Sequence, residues 1–175
     1  ALDATDTDEV WEFGAGSGAL AAQLLQALGE RVRRYSIVDL SGALRMRQRE
    51  ALAPFGERVR WLDALPASMS GVIIGNEVLD AMPVQLLHWD GAAWFERGVV
   101  RSGAGLALED RPLGPGMLRE LGEARFPAGI DYASEVNPAA EALIEDLGRR
   151  VGQGTILAID YGFPRGEYYH PQRAT

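Results

Sequence analysis

The 175-residue sequence contains no cysteine. Disulfides, thiolate nucleophiles and cysteine-based zinc sites are therefore excluded. Lysine is absent as well, since all 17 basic residues are arginine. Schiff-base chemistry and phosphate loops that depend on a primary amine go with it. Histidine is scarce: only His88 and His170 occur, so no multi-histidine metal centre is expected. No apolar run is long enough to cross a bilayer, and the acidic N-terminal segment is unlike a signal peptide. Positive charge is also in short supply. A formal net charge of −8 opposes nonspecific nucleic-acid binding, which needs a basic footprint. It suits a cationic ligand or an arginine-bearing protein, and solubility explains it equally well.

What is present reads as one α/β domain. An apolar content of 47% is ordinary for a globular chain of this size. Strand-sized apolar runs alternate with helix-length segments, the pattern of a sheet covered by helices. Val10 to Phe13 reads as a first strand, followed by a helix from Ala19 to Leu28 with Leu20, Leu24, Leu25 and Leu28 on one face. Tyr35 to Leu40 reads as the second strand, and Ser41 caps a helix from Ala43 to Leu52. Val59 to Leu62 and Val72 to Gly75 give a third and fourth, the latter apolar throughout, as befits a strand buried on both faces.

The rhythm then changes. From Val84 to Arg111 residues alternate and turn at Asp90-Gly91 and Ser102-Gly103, predicting a β-hairpin or meander inserted after the fourth strand. Gly114-Pro115-Gly116 closes this β-rich insertion, placed at 84–116, and a short helix is expected from Met117 to Leu121. Asn137-Pro138 starts a helix running to about Val151, and Thr155 to Asp160 is a fifth strand. The acidic stretch from Asp3 to Glu9 reads as a solvated lead-in.

The segment Glu12-Phe13-Gly14-Ala15-Gly16-Ser17-Gly18 joins the first strand to the first helix. Glycines there let the backbone turn tightly and approach a nucleotide-type cofactor at the helix N-terminus. Asp39, at the end of the second strand, is the expected partner of both ribose hydroxyls. Dinucleotide folds usually show GxGxxG. Here the spacing is GxGxG behind an acidic residue, the form used by methyltransferases, with a nicotinamide cofactor as the alternative.

These residues resemble a particular family. Val10 to Gly18 is similar to the first motif of class I methyltransferases, and Asn76-Glu77-Val78-Leu79-Asp80-Ala81-Met82-Pro83 resembles the NE-x-x-DA-x-P block of the MidA family. Ser134-Glu135-Val136-Asn137-Pro138, Asp160-Tyr161-Gly162 and the tail from Glu167 to Arg173 extend the likeness over nearly the whole chain. The resemblance implies a Rossmann-like class I sheet with helices on both faces and S-adenosylmethionine as cofactor. It also implies arginine N-methylation of a protein, since the family includes the mitochondrial assembly factor that dimethylates an arginine of a respiratory complex I subunit. Relatives of that type carry more chain on both sides. Only residues 161–175 follow the fifth strand, too few for the sixth and seventh strands of a class I sheet, so the chain reads as fragment-like. Bacterial cytoplasm is the expected compartment, or mitochondrial matrix for a eukaryotic chain.

By the same resemblance, Glu12, Gly14, Ala15, Gly16 and Gly18 face the methionine half of the cofactor, and Leu40 the adenine rim. Asp63 and Ala64 lie near the adenine amine, and Asn76 meets the cofactor's amino-acid end or the acceptor. Glu77 and Asp80 follow the fourth strand, where the acceptor belongs, and are the expected catalytic carboxylates; Glu135 is a further candidate. Carboxylates can grip two guanidinium nitrogens, orient the third, and accept the released proton. Three other readings stay open: a methyltransferase for another acceptor, a cofactor-binding assembly or chaperone protein with little turnover, and a nicotinamide oxidoreductase.

Overall fold

The computed structural model describes residues 1–114, 129–168 and 170. The chain divides into two compact units, one made of Ala1–Ala81 with Leu143–Tyr161, the other of Met82–Ala142 with Gly162–Thr175.

The first unit is built on a parallel sheet. Its strands are β1 (Glu9–Phe13), β2 (Arg34–Val38), β3 (Val59–Leu62), β4 (Met69–Asn76) and β9 (Val151–Ile159), in the spatial order β3-β2-β1-β4-β9. The order runs outward from β1 to β3 and then reverses to β4, so a topological switch point lies between β1 and β4. Crevices at such points, outside the carboxyl ends of the strands, are where open α/β sheets bind ligands. Pairing aligns those ends: Phe13 lies beside Val38 and Gly75, Val38 beside Leu62, and Asn76 beside Ile159.

Side-chain alternation explains the layers. Val10, Tyr35, Ile37, Val72 and Ile74 face helix α2 (Ala19–Leu28) and helix α3 (Gly42–Leu52), packing with Ala21, Leu25 and Leu52. Trp11, Phe13 and Ile73 face the other way and pack with Leu143 and Leu147 of helix α4 (Pro138–Arg150). Helices therefore cover both faces. Each fully buried Leu or Ile stabilises the fold by roughly 1.5–3 kcal/mol. The predicted caps are in place: Ser41 Oγ accepts from Leu44 N at 3.3 Å, and Asn137 Oδ1 from Ala140 N at 3.0 Å.

Several boundaries shift from the sequence expectation. β4 begins at Met69, not Val72, and β9 begins at Val151, directly after α4 ends at Arg150. Gly71 and Gly154 are needed inside the strands. A Cβ on Gly71 would lie 2.3 Å from Glu9 O, and one on Gly154 2.0 Å from Gly71 O. The acidic lead-in is partly structured, with a helical turn α1 (Leu2–Thr5) that buries Leu2.

The second unit holds an antiparallel sheet in the order β7-β6-β5-β8, from β5 (Gln85–Trp89), β6 (Trp94–Ser102), β7 (Gly105–Pro112) and β8 (Tyr132–Val136). The predicted meander is present, with turns at Asp90-Gly91 and Ser102-Gly103. Trp89 and Trp94 pack across the first turn, their ring centroids 5.6 Å apart. β8 was not foreseen. It pairs antiparallel with β5 over Gln85–Trp89, a long-range contact that no local pattern announces. The helix expected from Met117 to Leu121, the closing Pro115-Gly116 and Arg173 lie outside the described residues. A final helical turn, α5, spans Arg165–Tyr168.

Candidate active site at the sheet's carboxyl edge

The glycine loop leaves β1 through three left-handed residues: Gly14 (φ 62°), Gly16 (φ 54°) and Gly18 (φ 83°). L-residues rarely adopt that region, so the loop depends on glycine. The three play different parts. Gly14 N donates to Val38 O at 2.9 Å, locking the loop to β2, and a Cβ there would meet Val78 Cγ2 at 3.3 Å. Gly18, the N-cap of α2, packs on Gln48 and Leu52. Around Gly16 a Cβ would meet nothing within 4 Å, so its backbone borders open space. Ala15, between the first two glycines, is buried in the core.

Glu12 lies below the loop, 3% exposed, and accepts a 2.7 Å hydrogen bond from Tyr35 Oη. Burial pushes its carboxyl above the ordinary carboxylate range, the Tyr35 bond pulls it back in part, and the nearby Asp39 charge raises it further. Asp39 follows β2 as expected. Its Oδ1 accepts from Ser41 N at 2.8 Å and its Oδ2 from Gln48 Nε2 at 2.7 Å. Each carboxylate oxygen can take a second donor, so both keep capacity for a hydroxyl. Leu40, next in line, is fully exposed at 102%, an apolar side chain with no cover among the described residues.

At the end of β3 lie the two residues expected on the adenine side. Asp63 is exposed and pairs with the Arg45 guanidinium, which also donates to Leu62 O; Ala64 is exposed beside it. The Asp63 carboxylate is therefore already engaged by an arginine.

Across the switch point, Asn76 and Glu77 are exposed at the end of β4. Glu77 has φ 51°, one of two non-glycine residues at positive φ among those described. A glutamate held there costs about 1–3 kcal/mol, which the surroundings must impose. They do so through Glu77 N donating to Ile159 O at 2.8 Å. Asp160, directly after β9, ties the turn down: its Oδ2 accepts from Leu79 N at 3.0 Å and from Asp80 N at 3.3 Å. The Asp80 carboxylate in turn accepts from the Tyr161 hydroxyl, and that bond, with the Asp80, Asp160 and Glu77 charges, raises the phenol's pKa. Three carboxylates and a phenol are thus gathered at the ends of β4 and β9. Glu135 belongs to the other unit, where it is an exposed residue of β8 paired opposite Leu86 of β5.

Two parts of this site escaped the sequence reading: Gln48, a wholly buried amide on α3, and the left-handed Glu77. A polar residue on a helix face normally signals solvent, and a strained φ leaves no mark in a glutamate. Among the described residues no group of three or more His, Cys, Asp and Glu is placed to hold a metal ion, and no helix is long and apolar enough to cross a membrane.

Comparison with known proteins agrees with this architecture. A search of curated proteins finds no match. Two crystal structures from Burkholderia thailandensis align over 99% of the chain at 47% identity and a TM-score of 0.87. One was solved with S-adenosyl-homocysteine bound, the other in native form. The chain covers 46% and 48% of those two proteins, so it spans about half their length. The sequence model of the Methyltransf_28 family, described as "Putative S-adenosyl-L-methionine-dependent methyltransferase", matches residues 1–175, and the chain belongs to this family.

Proposed function

We propose that the carboxyl edge of the parallel sheet binds S-adenosylmethionine and that the methyl acceptor is an arginine of a protein. The observation that carries the cofactor half is the alignment of the Gly14–Gly18 loop, Asp39 and the Glu77 turn around one switch point. The open space over Gly16, the spare acceptor capacity of Asp39 and the uncovered Leu40 fit a nucleoside with a polar tail. The relative that holds S-adenosyl-homocysteine supports the same reading.

For the acceptor, the support is electrostatic. A sulfonium and a guanidinium repel one another, and three carboxylates at the ends of β4 and β9 offset that repulsion. When bound, the cofactor supplies an activated methyl group: a C–N bond forms as the C–S bond breaks, leaving a neutral thioether. The chain's part is positioning. Glu77 and Asp80 grip two guanidinium nitrogens and turn the third toward the cofactor, and one of them takes the proton that nitrogen loses. Ile159 O holds the backbone of Glu77, and Asp160 holds that of Leu79 and Asp80. Asn76 and the Asp160-Tyr161-Gly162 turn line the acceptor side.

The test is Glu77→Gln in the intact protein. Cofactor affinity should stay within about twofold, while labelled-methyl transfer to arginine falls by about 100-fold or more. Retained turnover removes Glu77 from the chemistry. Cofactor and partner binding with no transfer by the unmutated protein would favour an assembly role, and methyl appearing on another residue or a small molecule would replace arginine as the acceptor.

A further inference from the structure

Gln48 is completely buried, yet all its hydrogen-bonding groups point at named partners. Nε2 donates to Gly16 O at 3.0 Å and to Asp39 Oδ2 at 2.7 Å, while Oε1 accepts from Trp61 Nε1 at 2.9 Å. The amide's orientation is fixed chemically. A carbonyl and a carboxylate can only accept, and an indole N–H can only donate, so no flipped amide satisfies the three. Trp61 is held in turn, with the Arg49 guanidinium 5.2 Å from its ring centroid.

One side chain therefore joins the loop residue that borders open space to the carboxylate that ends β2. The core does not require this. A leucine at that position would pack beside Leu52 with no polar group to satisfy, and buried polar groups cost free energy unless each is paired. What the amide adds is geometry. Gln48 holds Oδ2 of Asp39 and Ser41 N holds Oδ1, which fixes the carboxylate plane and leaves one acceptor direction on each oxygen.

Building on the cofactor reading above, we propose that Gln48 is the positioning residue for ribose recognition: it sets the Asp39 carboxylate to accept from both sugar hydroxyls and keeps the Gly16 peptide in register with it. Selectivity for an intact ribose then depends on a residue that touches no part of the cofactor.

The experiment is calorimetric titration with S-adenosylhomocysteine and with its 2′-deoxy and 3′-deoxy analogues. It uses the wild-type chain, Gln48→Met and, as a milder variant that frees the amide oxygen, Trp61→Phe. In the wild type, loss of either hydroxyl should weaken binding by about tenfold. In Gln48→Met the parent ligand should bind about tenfold more weakly, and the penalty for a missing hydroxyl should shrink to about twofold. Trp61→Phe should show the same convergence to a smaller degree, and it decides the matter if Gln48→Met does not fold. A purely structural residue would weaken all three ligands by one factor, and that result overturns the proposal. A wild type that binds the parent ligand with no hydroxyl penalty overturns the Asp39 assignment and the proposal with it. A wild type that binds none of the three overturns the cofactor reading itself.

Discussion

The parallel and antiparallel units differ in what is buried inside them. Around the parallel sheet the fully buried large side chains are mostly apolar, among them Leu25, Ile37, Leu52 and Ile73. In the antiparallel unit the buried side chains among the described residues are Leu87 and Tyr132, joined by the polar His88 and Ser134. Cross-strand ion pairs do more there. Arg97 grips Asp110 at 2.7 and 2.9 Å, Arg111 grips Glu96 at 2.6 and 3.0 Å, and His88 lies 2.6 Å from Asp110 and 3.0 Å from Asp131. The contrast explains where a precise site can be built. Tight apolar packing fixes the strand ends of the parallel sheet, and a site needs such rigid support. Charge pairs near a surface fix less, because water and salt compete for them.

Truncation in the two sheets should expose the difference most strongly. Ile37→Ala, in β2, should lower unfolding free energy by about 2–5 kcal/mol. Leu108→Ala, at a position of β7 that is 60% exposed, should change it by no more than about 0.5 kcal/mol. Urea titrations of both variants decide this, and equal losses would erase the contrast.

Acid should act next, and on the antiparallel unit. The hydrogen bonds from Arg97, with help from His88, hold the Asp110 carboxyl down at about 2. A depressed carboxylate adds stability above its unfolded pKa and loses it as pH falls toward the folded value. Asp110→Asn should therefore lower the melting temperature by several degrees at pH 7, and the gap should close between about pH 4 and pH 2. A gap that persists at pH 2 would mean the side chain acts through packing.

The smallest expected effect has the opposite sign. Glu12 is raised by burial, so its ionised form destabilises the fold as pH climbs above its unfolded value. Glu12→Gln keeps an acceptor for Tyr35 and should raise the melting temperature of the ligand-free chain by about 2–4 °C at pH 7, with no gain at pH 4. Ligand affinity should fall in the same variant, a stability gain at the expense of the site.

Much of the candidate site was legible because its parts are local. A strand, a spaced glycine triplet, a helix and a carboxylate ending the next strand occupy residues 10–39, and the structure builds them as read. The Glu77–Asp80 turn was legible as a block of residue types, but not as a left-handed glutamate held by Ile159 O in a turn tied down by Asp160, which lies 80 residues away from Asp80. Gln48 was invisible for a related reason. Its three partners come from the glycine loop, the end of β2 and β3, and no spacing within α3 encodes them. The β5–β8 pairing failed on the same ground. β4 and β9 extend further than the sequence pattern indicates, and inside them Gly71 and Gly154 permit close approach of neighbouring backbones.

The central claim is that the Gly14–Gly18 loop and Asp39 form an S-adenosylmethionine site. The most direct measurement is calorimetric titration of the chain with S-adenosylhomocysteine and, separately, with NADH, beside the variant Gly16→Val. That substitution fills the open space over the loop and strains its left-handed backbone. The account predicts saturable one-site binding of S-adenosylhomocysteine, no heat with NADH, and loss of binding in Gly16→Val while the variant stays folded. Binding of NADH in place of S-adenosylhomocysteine, or undiminished affinity in Gly16→Val, would contradict it.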